Sequence, residues 1–278
     1  MQMEKKKNKF LSNKGFMIFA VLALLIILAS ICAPLICHGV DPTEGELADA
    51  IMAPSGEHPF GTDKMGRDIF ARVIYGSRTS LVSTFSLVLT IFVVGTFLGI
   101  LAGYFGGWVD AVIMRIADMM IAFPGLVLAI AVAGMLGAST KNAIIAISIV
   151  SWPKYARLAR SLVMKIRHTD FVAAAQVTGS RTPYMLWKYM LPNTITTLVI
   201  TAATDIGSMM MELAALSFLG FGAQPPTPEW GSMLNEGRNF MQSAPWMMIY
   251  PGLAIFITVV IFNMLGDNLR DILDPKTE

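Results

Sequence analysis

Long stretches without any charged side chain alternate with short charged segments along this 278-residue chain. Asp, Glu, Lys and Arg are absent from four runs, at 15–40, 79–109, 119–140 and 239–266. Each run exceeds the roughly 18–20 apolar residues that mark a membrane-spanning helix. A bilayer core offers backbone groups no water to bond, so these runs are expected to be helical. The alternating strand pattern of a transmembrane barrel is absent from the sequence.

Two further spans are interrupted by charge. One covers about 141–160 and carries Lys154, Arg157 and Arg160, which are expected to reach the lipid headgroups. The other contains Asp205 and Glu212. The sequence therefore predicts an all-α polytopic membrane protein with about six transmembrane helices, at about 16–37, 79–103, 111–136, 141–160, 194–219 and 246–265.

Composition agrees with this class of protein. Hydrophobic residues make up 55% of the chain and charged residues 14%, with a net charge of +2. A soluble domain is normally about a quarter charged, and a nucleic-acid-binding protein needs a strong basic excess. Both cysteines, Cys32 and Cys37, lie in the first apolar run, so no disulfide framework or thiolate metal cluster is indicated.

Basic residues predict the orientation. They cluster before the first span (Lys5, Lys6, Lys7, Lys9 and Lys14) and between the fourth and fifth spans. Both clusters mark the cytoplasmic side. The predicted organisation is a cytoplasmic N-terminal segment (1–15), a first helix (16–37), an acid-rich extracytoplasmic segment (38–78), a core domain (79–265) with a cytoplasmic segment at 161–192, and a cytoplasmic tail (266–278). A cleaved signal peptide is the alternative for the N-terminus, but its apolar stretch exceeds the usual length of roughly 7–15 residues.

Two glycine patterns are of interest. Gly95, Gly99, Gly103 and Gly107 repeat every fourth residue and predict a groove for close helix packing. Residues 61–68 are similar to a phosphate loop, but Arg67 and Asp68 stand where Lys and Ser or Thr are needed. This segment also lies on the predicted outer side. The chain itself is therefore not expected to hydrolyse ATP.

The cytoplasmic segment contains an ordered set of helix signals. Thr169 or Asp170 can cap a short helix over 171–178, and Gly179 suits its end. Thr182 is predicted to cap a second helix that Pro192 ends. The small side chains of the first helix, Ala173, Ala174 and Ala175, would let another protein approach closely. This pattern favours a docking element over a simple surface loop.

The same residues resemble a known motif. The stretch from Ala173 through Gly179 to Leu191 and Pro192 is similar to the coupling motif of bacterial ABC importer permeases, in which Glu-Ala-Ala is followed by Gly and later by Leu-Pro. Here Ala173 replaces the Glu, and Tyr189 stands where a His is common. Segments 58–69, 217–222, 228–231 and 262–271 also resemble the second permease of dipeptide, oligopeptide and nickel importers.

The resemblance implies a type I ABC importer permease fold in a bacterial cell membrane. It implies a pore built from this chain and a second homologous permease, two cytoplasmic ATP-binding subunits and an extracytoplasmic substrate-binding protein. It assigns ATPase coupling to Asp170, Ala173, Ala174, Ala175, Gly179, Leu191 and Pro192. The chain would be a pore subunit in the bilayer without cofactor or enzymatic activity of its own.

Ionisable residues within spans usually face a cavity or each other. Arg115 and Asp118 are three residues apart and are expected to form a structural ion pair. Asp205 and Glu212 are seven apart on one helix face without a cation on their own helix, which suggests a translocation path for cationic or amine-bearing cargo. Hydrogen bonds from Ser, Thr or Asn on neighbouring helices are the alternative.

Several questions stay open at this point. Met209, with Met210 and Met211, lies between the two acids and can serve packing or a transient metal path. His38, His58 and His168 lie in separate segments, show no metal-ligand spacing and are expected to be ordinary surface residues. The proline-rich loop 220–245 can be an external gate, a landing surface or a stiff connector. The sequence does not distinguish between peptides, nickel and metal–chelator complexes as the cargo.

Two rival classes are less well supported by the sequence. A secondary transporter often shows inverted repeats, and no similarity between the two halves of the chain is visible. An intramembrane hydrolase would need a nucleophile–base set or a zinc-binding helix motif, and neither occurs.

Overall fold

The computed structural model describes residues 13–273, which form helices and their connections and include no β-strand. The predicted lysine cluster Lys5, Lys6, Lys7 and Lys9 lies outside the described residues, as does the end of the predicted tail at 274–278.

The chain forms eleven α-helices with short 3-10 and π turns between them in the described range. In order they are α1 (Lys14–Ile31), α2 (Ala33–Ile36), a 3-10 turn (Leu47–Asp49), α3 (Ile69–Phe105), α4 (Gly107–Ile121), α5 (Gly125–Leu136), α6 (Thr140–Arg167), α7 (Asp170–Val177), α8 (Thr182–Met185), a π turn (Leu186–Met190), α9 (Leu191–Phe218), α10 (Trp230–Gly237), a 3-10 turn (Arg238–Phe240) and α11 (Trp246–Leu273).

Each predicted span corresponds to helical structure. Four stretches between residues 13 and 273 are long and apolar enough to cross a membrane: α1, α3, the run Thr182–Phe218 and α11. Helices α4 and α5 together add a fifth, bent by 94°. Helix α6 is also long enough, with 28 residues, but its basic residues make it more polar than the others. The all-α polytopic fold is therefore confirmed.

Several helix boundaries differ from the prediction. Helix α3 begins at Ile69 instead of 79, because Asp68 caps it by accepting the Ala71 N–H at 2.7 Å. A helix of 37 residues is about 55 Å long, which exceeds the roughly 30 Å of a bilayer core, so α3 is longer than a single span requires. The third predicted span is two helices because Pro124 has no N–H and its ring excludes a continuous helix.

Close packing of α3 on α6 confirms the glycine groove. A Cβ atom at Gly95 would lie 2.6 Å from the Trp152 carbonyl oxygen, and one at Gly103 would lie 2.8 Å from that of Arg160. Gly99 faces Ala156 and Ala159 in the same way. Gly107 does not belong to the groove, because it begins α4 with no neighbour within 4 Å of a Cβ.

Helix α9 lies in the middle of the molecule. It packs antiparallel to α11, with Gly207 against Asn263 and Gly266 against Ala203 and Thr204, and it also contacts α6 and α3. At the far end of α11, Gly15 of α1 lies beside Asn268. Helix α9 thus has one face on α6 and another on α11.

The hydrogen bonds within the turn at residues 61–68 explain why its sequence is similar to that of a phosphate loop. Oδ1 of Asp63 accepts the N–H groups of Met65 at 2.8 Å and Arg67 at 3.1 Å, so the turn binds a carboxylate of its own. A buried ion cluster joins this turn to α10. Arg67 and Arg72 both donate to Oε2 of Glu236, at 2.9 and 3.0 Å.

Candidate functional site

The segment between α6 and α9 forms the predicted short helix. Helix α7 follows Thr169, but the Thr169 hydroxyl donates to the Ile166 carbonyl and makes no cap. Gly179 ends the turn after α7 with φ +78°, the left-handed conformation that favours glycine. The Ser180 N–H returns to the Ala175 carbonyl at 3.1 Å, which is the hydrogen bond of a Schellman-type stop.

One side of α7 is exposed. Val172 and Ala175 are buried towards the protein, whereas Ala173 and Ala174 face outwards, as does Asp170 at the helix start. Val177 is 89% exposed, which is unusual for an apolar side chain at the end of a helix. The three alanines therefore do not form one surface: two are accessible and one anchors the helix.

The predicted helix stop at Pro192 is wrong. The chain stays helical from Thr182 to Phe218, with Thr182 as the first helical residue instead of its cap. The register changes before Pro192 through a π turn, in which the Leu191 N–H bonds to the Leu186 carbonyl. Because proline has no N–H to donate, the wider turn lets the helix pass this position. Leu191 is partly buried and Pro192 is exposed.

Asp205 is bound by two side chains of α6. Lys154 Nζ lies 2.6 and 2.8 Å from its two carboxylate oxygens, and the Tyr155 hydroxyl donates to it at 2.9 Å. The Asp205 side chain is 7% exposed, while the Lys154 side chain is 57% exposed. The sequence had left two interpretations for Asp205 and Glu212, a translocation path or hydrogen bonds from Ser, Thr or Asn of neighbouring helices. At Asp205 the partners are instead a lysine and a tyrosine, because α6 packs against α9 at this level.

Glu212 and Met209 line a cavity of about 500 Å³ beside the bend between α4 and α5. Lys154, Ser151 and Ser208 provide its other polar groups. Glu212 makes no hydrogen bond or ion pair with any residue in the described part of the chain. The three methionines diverge: Met209 borders the cavity, Met210 is 2% exposed in the core and Met211 is 52% exposed.

The expected pair of Arg115 and Asp118 is wrong. Asp118 accepts a hydrogen bond from Arg157 at 2.5 Å, and Asp110 binds Arg160 at 2.5 Å. Both arginines lie on α6, along which α4 packs, so the partners come from the neighbouring helix. Between residues 13 and 273, Arg115 makes no ion pair.

Sequence reasoning missed a second polar cavity, of about 550 Å³, at the other end of α9. Its polar side chains are Arg270 of α11 and four threonines, Thr196, Thr197, Thr201 and Thr204. The threonines recur at helical spacing on the same helix as Ser208 and Glu212, which was the available signal. Helix α9 therefore carries polar groups along most of its length.

The loop 220–245 is tied to α3. Glu229 caps α10 by accepting the N–H groups of Gly231 at 2.9 Å and Ser232 at 2.8 Å, and it contacts Ser80 of α3. Burial raises the pKa of Glu229, and these hydrogen bonds oppose that effect. Trp230 donates to the Val73 carbonyl at 2.9 Å. The proline-rich part at 224–228 precedes the helix.

His58 departs from the expectation of an ordinary surface histidine. Its Nδ1 lies 2.9 Å from Oδ2 of Asp68, the residue that caps α3. His38 and His168 are exposed as expected. Among residues 13–273, no group of three or more His, Cys, Asp or Glu side chains is arranged to hold a metal ion.

Comparison with known proteins places these features in a family. The family model described as binding-protein-dependent transport system inner membrane component matches residues 95–278. The dipeptide transport system permease protein DppC of Alkalihalophilus pseudofirmus is 45% identical over 264 residues, which cover 95% of this chain and 86% of the relative. DppC of Haemophilus influenzae is 42% identical and covers 96% and 92%. The glutathione transport system permease protein GsiD of Pectobacterium atrosepticum is 46% identical and covers 80% and 74%.

Solved structures support the fold. An inward-facing conformation of the MetNI methionine ABC transporter superposes with a TM-score of 0.58 at 18% identity, covering 72% of this chain and 96% of the other. An amino acid ABC transporter with histidines gives a TM-score of 0.55 at 17% identity, covering 72% and 92%. At these identities the likeness concerns the fold alone.

Proposed function

The chain belongs to the binding-protein-dependent transport system inner membrane component family, and we propose that it forms half of the pore of an importer for short peptides. Its role as an ABC importer permease, and not as an enzyme, follows from that membership. The family also implies ATP-binding subunits, a partner permease and a substrate-binding protein. It favours this class over the secondary transporter that the sequence had left as an alternative.

The observation that carries the peptide cargo is the similarity along nearly the whole chain to permeases of dipeptide and glutathione systems. The methionines add support, because Met209, Met210 and Met211 point into a cavity, the core and the surface respectively, and do not converge as soft metal ligands would. Peptide import is therefore favoured over nickel and metal–chelator import.

Helix α7 is the proposed contact with an ATP-binding subunit. Its exposed small side chains, Ala173 and Ala174, allow close approach, and Asp170 and Val177 extend the accessible surface. Gly179 holds the helix end, and Ala175 anchors it to the protein. Leu191 and Pro192 follow the π turn that connects this element to α9, so a displacement of α7 is transmitted to the central helix.

The proposed orientation puts both ends of the chain in the cytoplasm. Gly15 lies beside Asn268, so α1 begins next to the last turns of α11. The basic loop around α7 belongs to the cytoplasm by the same positive-inside rule that applies to the N-terminus. The ion cluster at Glu236 joins segment 38–68 to the loop 220–245. In the proposed orientation, both of these regions face the exterior.

The polar face of α9 is the proposed wall of the translocation path. Non-helical backbone at membrane depth is tolerated where it is buried in protein or lines a water-filled cavity. The break at Phe123, between α4 and α5, borders the cavity that holds Met209 and Glu212, with Asp205 behind Lys154. This arrangement supports a hydrated passage along α9.

Uptake in cells tests the cargo. Radioactive nickel and a labelled dipeptide are supplied to cells with and without the gene, and to deleted cells that carry the gene on a plasmid. Dipeptide uptake is expected to fall on deletion and to recover with the plasmid, with nickel uptake unchanged. A fall in nickel uptake with intact dipeptide uptake would contradict the proposal.

A further inference from the structure

The cavity beside the bend of α4 and α5 contains two separate polar ends. At one end the Lys154 ammonium binds Asp205 but keeps more than half of its side chain exposed. An ammonium has three N–H donors, and Asp205 does not use all of the directions in which it can donate. At the other end stands the Glu212 carboxylate, which no described residue binds through a hydrogen bond or ion pair.

The distance between these ends suits a small zwitterion. Asp205, which fixes the position of the Lys154 ammonium, and Glu212 are two helical turns apart, or about 10 Å along the helix axis. An extended dipeptide spans at most about 7 Å between its ends. Two charge-assisted hydrogen bonds of about 2.8 Å each extend its reach to about 13 Å. A dipeptide therefore reaches both groups, whereas a long peptide in extended form overshoots them.

The net negative charge of the cavity favours a ligand that carries a cationic group. The Lys154–Asp205 pair is neutral, so Glu212 leaves one excess negative charge in a cavity between helices that are proposed to span the membrane. An ionised group at such a site is costly unless water or an opposite charge compensates it. A peptide ammonium beside Glu212 pairs with that carboxylate, and a peptide carboxylate beside Lys154 accepts from the donor that Asp205 leaves free, so each charged end of the peptide meets a group of opposite charge.

Apart from Ser151 and Ser208, the remaining residues that line the cavity are apolar. Met120, Phe123, Val150 and Met209 are among the residues that line it. Such a wall accepts peptide side chains of different shapes, because methionine and aromatic side chains adapt to irregular apolar surfaces. The volume of about 500 Å³ is within the usual range for a small-molecule site.

We propose that this cavity is a transient cargo site that recognises a short peptide by its two charged ends. Glu212 binds the α-ammonium, and Lys154, held by Asp205 and Tyr155, binds the α-carboxylate. Selection is by end groups and length, with little dependence on side chains. This inference rests on the proposed function of peptide import and assigns the part of the cargo that each residue contacts.

Binding to the assembled permease and ATPase complex, without the substrate-binding protein, tests the assignment. Radiolabelled Ala-Phe is bound to the immobilised complex and displaced by unlabelled Ala-Phe, N-acetyl-Ala-Phe or Ala-Phe amide. In the wild type each capped peptide is expected to compete at least about tenfold more weakly. With Glu212→Gln, N-acetyl-Ala-Phe should compete as well as Ala-Phe, while the amide still competes more weakly. With Lys154→Gln, Ala-Phe amide should compete as well as Ala-Phe, while the N-acetylated peptide still competes more weakly.

Matched controls separate these effects from general charge. Lys141→Gln changes an exposed lysine at the start of the same helix, and Glu57→Gln changes an exposed acid of the outer segment. Both should keep the two penalties. The double variant Lys154→Gln with Asp205→Asn avoids an unpaired carboxylate and gives the result for the lysine end if the single variant does not assemble.

The outcomes distinguish this inference from the proposed function. A Glu212→Gln complex that still discriminates against N-acetyl-Ala-Phe as the wild type does would overturn the assignment. Wild-type dipeptide uptake in cells without measurable binding to the complex would overturn it too, but would leave peptide import in place. Absence of gene-dependent dipeptide uptake would contradict the proposed function itself.

Discussion

Lys154 of α6 and Asp205 of α9 form an ion pair in the middle of the molecule, with Nζ 2.6 Å from Oδ1. The Tyr155 hydroxyl also donates a hydrogen bond to Oδ2 of Asp205 at 2.9 Å. The pair joins the central helix to the helix that leads into the proposed coupling segment. It also sets the position of the only cation that borders the α4–α5 cavity among the described residues.

Replacing Asp205 with Ala should destabilise the assembled complex. The variant leaves Lys154 without its counter-ion and Tyr155 without its acceptor. A fully buried pair costs about 3–5 kcal/mol when one partner is removed. Because the Lys154 side chain is 57% exposed, the expected loss is smaller, about 1–3 kcal/mol. Thermal unfolding of the purified complex measures it.

The double variant Lys154→Met with Asp205→Ala provides the control. It removes both charges, so part of the lost stability should return. An equal loss in the single and double variants would contradict the prediction, because removal of the unpaired Lys154 ammonium would then recover no stability.

Replacing Gly179 with Val should weaken docking of the ATP-binding subunits. A Cβ at Gly179 meets no atom within 4 Å, so crowding is not the cause. The cause is the φ of +78°, where a side chain costs about 1–2 kcal/mol and a β-branched one more. The measured quantity is the amount of ATP-binding subunit that co-purifies with the chain.

Gly56→Val is the matched control, since Gly56 is also uncrowded but lies in the outer segment without a positive φ. It should leave recovery of the ATP-binding subunits unchanged. Normal recovery with Gly179→Val would argue against the assignment of α7 as the coupling element.

Replacing Gly99 with Ala should separate α3 from α6. The new methyl group would lie 2.7 Å from Cβ of Ala159, and backbone atoms of Ala156 leave it no room. Overpacking of this kind costs about 1–3 kcal/mol. Gly125→Ala introduces the same methyl group 3.6 Å from Val150 and should have little effect on the melting temperature. Similar melting temperatures for the two variants would contradict the groove.

Replacing Glu236 with Gln should release the outer segment. Arg67 and Arg72 are 4% and 1% exposed and share Oε2 of this carboxylate, so the variant leaves excess buried positive charge. A loss of about 3–5 kcal/mol is expected for breaking a buried pair. Limited proteolysis of the purified protein should then cut within 38–68. The variant Glu44→Gln, at an exposed acid, is the control, and equal resistance of both variants would contradict the prediction.

Local signals in the sequence were sufficient for elements whose cause is local. The left-handed stop at Gly179 and the glycine groove of α3 were both predictable, because glycine alone fits such positions. The path through Pro192 was not, because a π turn depends on the packing of Leu186 and Met190 against neighbouring helices. The early start of α3 was not predictable for a similar reason, because Arg72 and Arg78 are charged residues at the beginning of an apolar helix. Their partners are distant in sequence: Arg72 donates to Glu236, and Arg78 donates to the Ser30 carbonyl.

The sequence by itself determined that this protein is a multi-span helical membrane permease, since apolar spans, basic loops and the coupling motif are each formed by residues that are close together in the sequence. Only the tertiary structure decided which charges meet. Asp205 binds a lysine 51 positions away, Asp118 an arginine 39 positions away, and Glu236 two arginines from the other end of the chain. Spacing along one helix predicts only neighbours on that helix, and in a bundle the ion pairs form between helices, where packing brings distant residues to within a few ångströms.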